Sequence, residues 1–229
     1  MDKRYYSLDV FRGATVALMI LVNNPGSWSH IYGPLEHAPW HGCTPTDLVF
    51  PFFLFAVGNA MSFVMPGFEA KGTSFFLKKV LKRTALIFLI GLLLNWSPFV
   101  KWSNDELVFK TWENLRILGV LQRIALCYCA ASFLVFFLKT RGAFVASAVL
   151  LLGYWFLTLV FAKTADPFSL EGFWGTHVDR YLLGSNHIYK GEGVPFDPEG
   201  LVSTVPAIVQ VVFGFFVGQY IQQKGKNYE

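Results

Sequence analysis

His37, Trp40, His41 and Asp47 fall within HAPWHGCTPTD, immediately ahead of the apolar run LVFPFFLFAV. Imidazoles in such a place suit proton transfer or transient acyl carriage, because a neutral ring near its reference pKa of about 6.5 is a usable base or nucleophile. Zinc is the competing chemistry, since histidines at i and i+4 share a helix face. Pro39 between them opposes a helix and no Glu or Cys completes a ligand set, so no metal is expected. The bland alternative, two surface loop residues without a role, stands beside the catalytic one. Thr44-Pro45-Thr46-Asp47 fits a helix-start signal with proline at the first helical position. It predicts a helix from about Thr44 whose open N–H groups face back onto the histidine loop. Pro51 removes an N–H donor and is expected to open or kink the first turn.

Other polar residues sit where lipid would make them costly. Arg123 lies about 12 Å into its apolar segment if that segment starts near Leu115, with Arg116 seven residues earlier on the same helix face. Such a cation needs an anion or a carbonyl; a structural pair with Asp9 or Asp47 and a functional role weigh equally. Asn23-Asn24-Pro25-Gly26 reads as a turn that stops a helix. Asp197-Pro198 reads as an N-cap followed by a proline at N1. Asp179, Arg180, Asn186 and His187 are not explained by capping. Lys78, Lys79, Lys82 and Arg83 suit either an anionic lipid surface or a phosphorylated substrate.

The elements that position these groups are membrane helices. Of 229 residues, 54% are hydrophobic and 15% charged, against about 45–50% and about 25% for a soluble domain. A net charge of +4 without a basic, aromatic-interleaved tract gives no nucleic-acid signal. Six segments approach the roughly 20 apolar residues a span needs: about Leu8–Asn23, Asp47–Met65, Lys82–Phe99, Leu115–Leu138, Ala143–Ala162 and Thr204–Gln222. The reading is an all-α, polytopic membrane protein of about six transmembrane helices in one unit, residues 1–229. In the first segment Asp9 and Arg12 interrupt the apolar stretch and no A-x-A site follows. That favours an uncleaved helix with the two paired at i, i+3. Cys43, Cys127 and Cys129 form no disulfide or metal pattern.

Orientation follows from Lys and Arg. One side carries Lys3, Arg4, Lys71, Lys78, Lys79, Lys82, Arg83, Lys139, Arg141, Lys224 and Lys226; the other holds most of the acids, Glu36, Asp179, Glu192, Asp197 and Glu199 among them, and all five histidines. Both termini are therefore expected in the cytoplasm, and the titratable chemistry outside it.

Taken together, SLDVFRG (Ser7–Gly13), Val22-Asn23, HAPWHG (His37–Gly42), TDLVFP (Thr46–Pro51), RILGVLQR (Arg116–Arg123) and DPEG (Asp197–Gly200) resemble one family in order and spacing over nearly the whole chain. It is the heparan-α-glucosaminide N-acetyltransferase family of transmembrane acyltransferases, with its bacterial relatives of the NagX type. The resemblance implies acetyl transfer from cytoplasmic acetyl-CoA to the amine of a glucosamine-type sugar on the far side of a membrane. It implies His37 as the catalytic histidine and Asn23 as its neighbour. Members of the family continue with further helices after the DPEG segment, so residues 1–229 are expected to be the N-terminal part of the full domain.

Joined to the residue reading, this gives a set of expected roles. His37 takes the amine proton or carries the acetyl group, and Asn23 stabilises the oxyanion. Trp40, His41, Asp47, Asp179 and His187 contact the sugar. Arg12, Arg116, Arg123, Lys82 and Arg83 hold the phosphates of acetyl-CoA, the co-substrate. Membrane lipid is the other expected partner, nucleic acid is not, and the oligomeric state stays open, a homo-oligomer included. The short loops suit a multi-pass protein of a bacterial inner membrane. The rival readings are an amino-sugar permease and a non-catalytic membrane partner; no matched pair of broken helices suggests the inverted repeats of a transporter.

Overall fold

The computed structural model describes residues 5–103, 105–191 and 194–224. Lys3, Arg4, Glu192 and Lys226 of the charge pattern lie outside the described residues. Helices dominate: α1 (Tyr6–Val22), α2 (Val49–Lys71), α3 (Thr73–Trp96), α4 (Val120–Val160), the short α5 (Trp174–Leu183) and α6 (Leu201–Lys224). Strands β1 (Val100–Ser103) and β2 (Glu106–Phe109) form a small antiparallel hairpin that the apolar pattern did not announce.

By length and composition, α2, α4 and α6 are apolar enough to cross a membrane. Large apolar side chains stay exposed, such as Leu89 and Leu94 on α3 and Val149, Leu152 and Trp155 on α4. Lipid is the solvent that makes such a surface tolerable. The chain is an all-α membrane protein, as its sequence indicates.

Several segment ends differ from the sequence expectation, each for a local reason. The second helix begins at Val49, and Thr44–Asp47 forms a turn ahead of it, with N–H bonds from Asp47 to Thr44 O (3.1 Å) and from Val49 to Thr46 O (3.2 Å). Pro51 lies in the first turn of α2, where no N–H has a helical partner to lose, and Phe52 N–H still reaches Leu48 O at 3.0 Å. A single residue, Gly72 at φ 84°, separates α2 from α3, so α3 starts well before Lys82. Only glycine takes that backbone without strain. The fourth and fifth expected segments together make up α4, which is two helices joined across a kink, so the expected break between them is present. Lys139, at φ 58° and ψ −177°, interrupts it near the middle.

Contacts divide the chain into two compact units. Unit 1 comprises the chain up to Ala70 and from Gln210 onward; unit 2 is Lys71–Val209. In unit 1, Phe11 of α1 packs edge-on against Phe52 and Phe55 of α2 (ring centroids 5.5 and 5.7 Å), and Tyr5 meets Phe63 (5.5 Å). The α2–α6 seam is built on small residues. A Cβ on Gly58 would strike the backbone of Val211 and Phe215, one on Gly214 the backbone of Phe55, and one on Gly218 the Ser62 side chain. Close backbone approach of this kind drives helix association in lipid. In unit 2, Phe76 of α3 stacks on Phe136 of α4 at 3.9 Å, and Gly91 leaves room for Gln122.

Gly58→Leu should therefore cost about 3 kcal/mol or more, because backbone cannot yield as a side chain can. Thermal unfolding in detergent should fall by roughly 6–12 °C. Gly153→Ala, where a Cβ meets nothing within 4 Å, should leave the midpoint unchanged or higher.

Candidate active site

The loop ahead of α2 is stitched to the turn that starts it. Thr46 Oγ1 donates to Leu35 O at 2.7 Å. Thr44 Oγ1 lies 2.6 Å from Glu36 O and 3.0 Å from Asp47 Oδ2, with one proton to give. Asp47 Oδ2 also accepts the N–H of Thr44 (2.8 Å) and of Ala38 (3.2 Å). Asp47 Oδ1 is left for one partner, Nδ1 of His37, at 2.6 Å.

A carboxylate offers only lone pairs, so Nδ1 must be the donor, and the neutral ring then carries its lone pair on Nε2. The His37 side chain is 74% exposed while that of Asp47 is 26% exposed, so the ring stands open to an incoming group. Partial burial disfavours the charge on Asp47. The Thr44 N–H, His37, the Ala38 N–H and the Thr44 hydroxyl outweigh that, and the carboxyl titrates below its ordinary 3.8. The arrangement is a carboxylate–imidazole pair with a free ring nitrogen, the pattern that orients a general base. Positioned N–H groups serve the Asp47 carboxylate; they do not face the imidazole directly, as a helix starting at Thr44 would have required.

Trp40 is half-buried and His41 exposed on the same loop. Asn23, at the end of α1, donates Nδ2–H to Met19 O at 2.9 Å, so the turn reading accounts for one of its two amide hydrogens. No hydrogen bond joins Asn23 to His37 among the described residues. The expected Asp9–Arg12 ion pair is not formed: the Arg12 side chain makes no hydrogen bond or ion pair among the described residues. Asp9 and Arg12 instead line a cavity of about 270 Å³ with Tyr5, Leu8, Phe11, Ala56, Asn59, Ala60 and Phe63.

The remaining expected residues belong to unit 2. Arg116 lies outside any helix, four residues before α4 begins, so it does not share a helix face with Arg123. It forks onto Asp197 (3.1 and 2.5 Å), also pairs with Glu199, and its guanidinium lies 5.0 Å from the Tyr189 ring centre. Asp197 is thus the counter-ion of Arg116 and not the N-cap of α6. That helix begins at Leu201, whose N–H is taken by Asp179 at 2.9 Å. Arg123 donates to the carbonyls of Pro198 (2.6 Å) and Ser203, a carbonyl solution in place of the expected acid. His187 Nδ1–H donates to Leu115 O at 2.8 Å, and Ile117 N–H to His187 O at 3.0 Å. Arg83 stands on α3 with its guanidinium 5.2 Å from the Tyr128 ring centre, and Lys82 is exposed beside it.

Sequence reasoning missed the His37–Asp47 bond and the cavity residue Asn59. The first needed the turn that folds Thr44–Asp47 back on the loop; the second was signalled only by a lone amide inside an apolar helix.

A sequence model for the family described as "Heparan-alpha-glucosaminide N-acetyltransferase, catalytic" matches residues 4–228. The chain is similar to the heparan-alpha-glucosaminide N-acetyltransferases of Homo sapiens (28% identical over 267 residues) and Mus musculus (29% over 264). These alignments cover 96% and 95% of this chain, which spans 39% of the length of each relative.

Asp179, 1% exposed, gives a pH test of this geometry. Burial pushes its carboxyl up to about 6 from the ordinary 3.8, against the Leu201 N–H and with Asp197 nearby. The folded chain thus holds a proton that the unfolded chain has released. Its stabilising contribution is full below about 3.8 and is lost as pH rises through about 6. The thermal midpoint, measured relative to Asp179→Asn, should rise between about pH 7 and pH 5. A difference that does not vary with pH would contradict this.

Proposed function

We propose, from the premise that the chain belongs to the heparan-alpha-glucosaminide N-acetyltransferase family, that it transfers an acetyl group from acetyl-CoA to the amine of a glucosamine-type sugar. The observation that carries the reading is the exposed imidazole held at 2.6 Å by Asp47.

The amine nitrogen attacks the thioester carbonyl carbon, forming a C–N bond and an oxyanion. His37 Nε2 takes the amine proton, and Asp47 stabilises the imidazolium that results. Asn23, with one amide hydrogen spent on Met19, has a second to offer the oxyanion. Collapse breaks the C–S bond, and the proton on His37 passes to the leaving thiolate. Trp40 and His41, beside His37 on the loop, would contact the sugar. Asp179 and His187 support the loops of unit 2, and Arg116 and Arg123 hold the DPEG segment; in the unit that carries His37, Arg12 is the expected cation left for the donor's phosphates. The Lys/Arg asymmetry supports a multi-pass chain with acetyl-CoA on the cytoplasmic side and the sugar opposite.

Purified protein in detergent, given radiolabelled acetyl-CoA and glucosamine, should yield N-acetylglucosamine. His37→Ala should lower the rate by roughly 10²- to 10⁴-fold, with Asp47→Asn between it and the wild type. Undiminished transfer by His37→Ala, or sugar uptake into proteoliposomes without acetylation, would overturn the reading.

A further inference from the structure

The α1–α2 cavity of unit 1 is lined by two polar groups, the Asn59 side-chain oxygen and the Arg12 guanidinium, that have no partner among the described residues. Asn59 is 3% exposed. Its Nδ2–H goes to Phe55 O at 3.2 Å, while its Oδ1 is buried with no hydrogen-bond partner among the described residues. A buried acceptor left open is costly and invites a donor. Arg12, from α1, is an exposed guanidinium that forms no ion pair among the described residues, inside an apolar helix where a cation calls for an anion. Leu8, Phe11, Ala56, Ala60 and Phe63 give the cavity its apolar lining, and Asp9 lines it as well.

A ligand that answers all three features has an anionic group at one end, an amide N–H further along, and aliphatic carbon between. Asn59 lies ten residues into α2, about 15 Å along the helix from the end that carries the His37–Asp47 loop. The cavity therefore lies along the helix that positions the base, within the same unit. We infer that this cavity holds the phosphopantetheine arm of the acyl donor, with its phosphate on Arg12 and an arm amide N–H donating to Asn59 Oδ1. The inference rests on the acetyl-CoA reading above and adds to it a specificity residue, Asn59, that discriminates an amide-bearing arm from a plain acyl chain.

Calorimetric titration of the detergent-purified full chain with coenzyme A and with pantetheine, which lacks the phosphates, tests it. Arg12→Gln should weaken coenzyme A roughly 10- to 100-fold and leave pantetheine unchanged. Asn59→Ala should weaken both ligands roughly 3- to 10-fold. Thermal midpoints show whether each variant is folded, and if Asn59→Ala is not, the exposed Arg12→Gln decides alone. Equal loss of both ligands in Arg12→Gln, no loss in either variant, or no binding of coenzyme A to the wild type would overturn the site. If the expected pattern appears but no acetyl group reaches glucosamine, the site stands and the proposed reaction fails.

Discussion

Asp47 has two carboxylate oxygens and two tasks. One oxygen gathers the N–H groups of Thr44 and Ala38 and so closes the loop onto the start of α2; the other reaches His37. The imidazole is thereby fixed by the same side chain that ends the loop, and its direction is tied to the helix rather than to the loop's own freedom. Removing the carboxylate would release both at once, which is why the loop and the catalytic reading stand or fall together.

Unit 2 solves a related problem differently. It has to bring buried charge to the ends of apolar helices without water to satisfy it. Arg116 is answered by two carboxylates and an aromatic face, Arg123 by carbonyls of the chain entering α6, and the N-terminal N–H of α6 by Asp179 from another helix. These groups interlock the segments around Leu115, His187 and Asp197. In unit 1 the side-chain oxygen of Asn59, which lines the cavity with Arg12, has no hydrogen-bond partner among the described residues, as is also true of Thr84 Oγ1 and Gln122 Nε2 in unit 2.

Membrane class and helix positions were readable because apolar runs of sufficient length have no other stable home. Segment ends were less readable. A basic turn such as Lys78–Arg83 looks like a connection by hydropathy, yet its backbone continues the helix because only Gly72 breaks it. The His37 loop was identifiable by residue type and by its resemblance to the family. Its partner was not, since Asp47 also satisfied a helix-start pattern and periodicity cannot say which way a turn folds. Arg116 and Asp197 lie 81 residues apart, and a contact of that range leaves no local trace. Asp197 was accordingly assigned the nearest task, capping the helix that follows it.

The central claim is that His37 is held through Nδ1 by Asp47 with Nε2 open. Nitrogen-15 NMR of the imidazole, with histidine-labelled protein at a pH where the ring is neutral, reads the tautomer directly. The account predicts a protonated Nδ1 and an unprotonated Nε2 for His37, with that preference lost in Asp47→Asn. A ring protonated on Nε2, or a tautomer indifferent to Asp47, would contradict it.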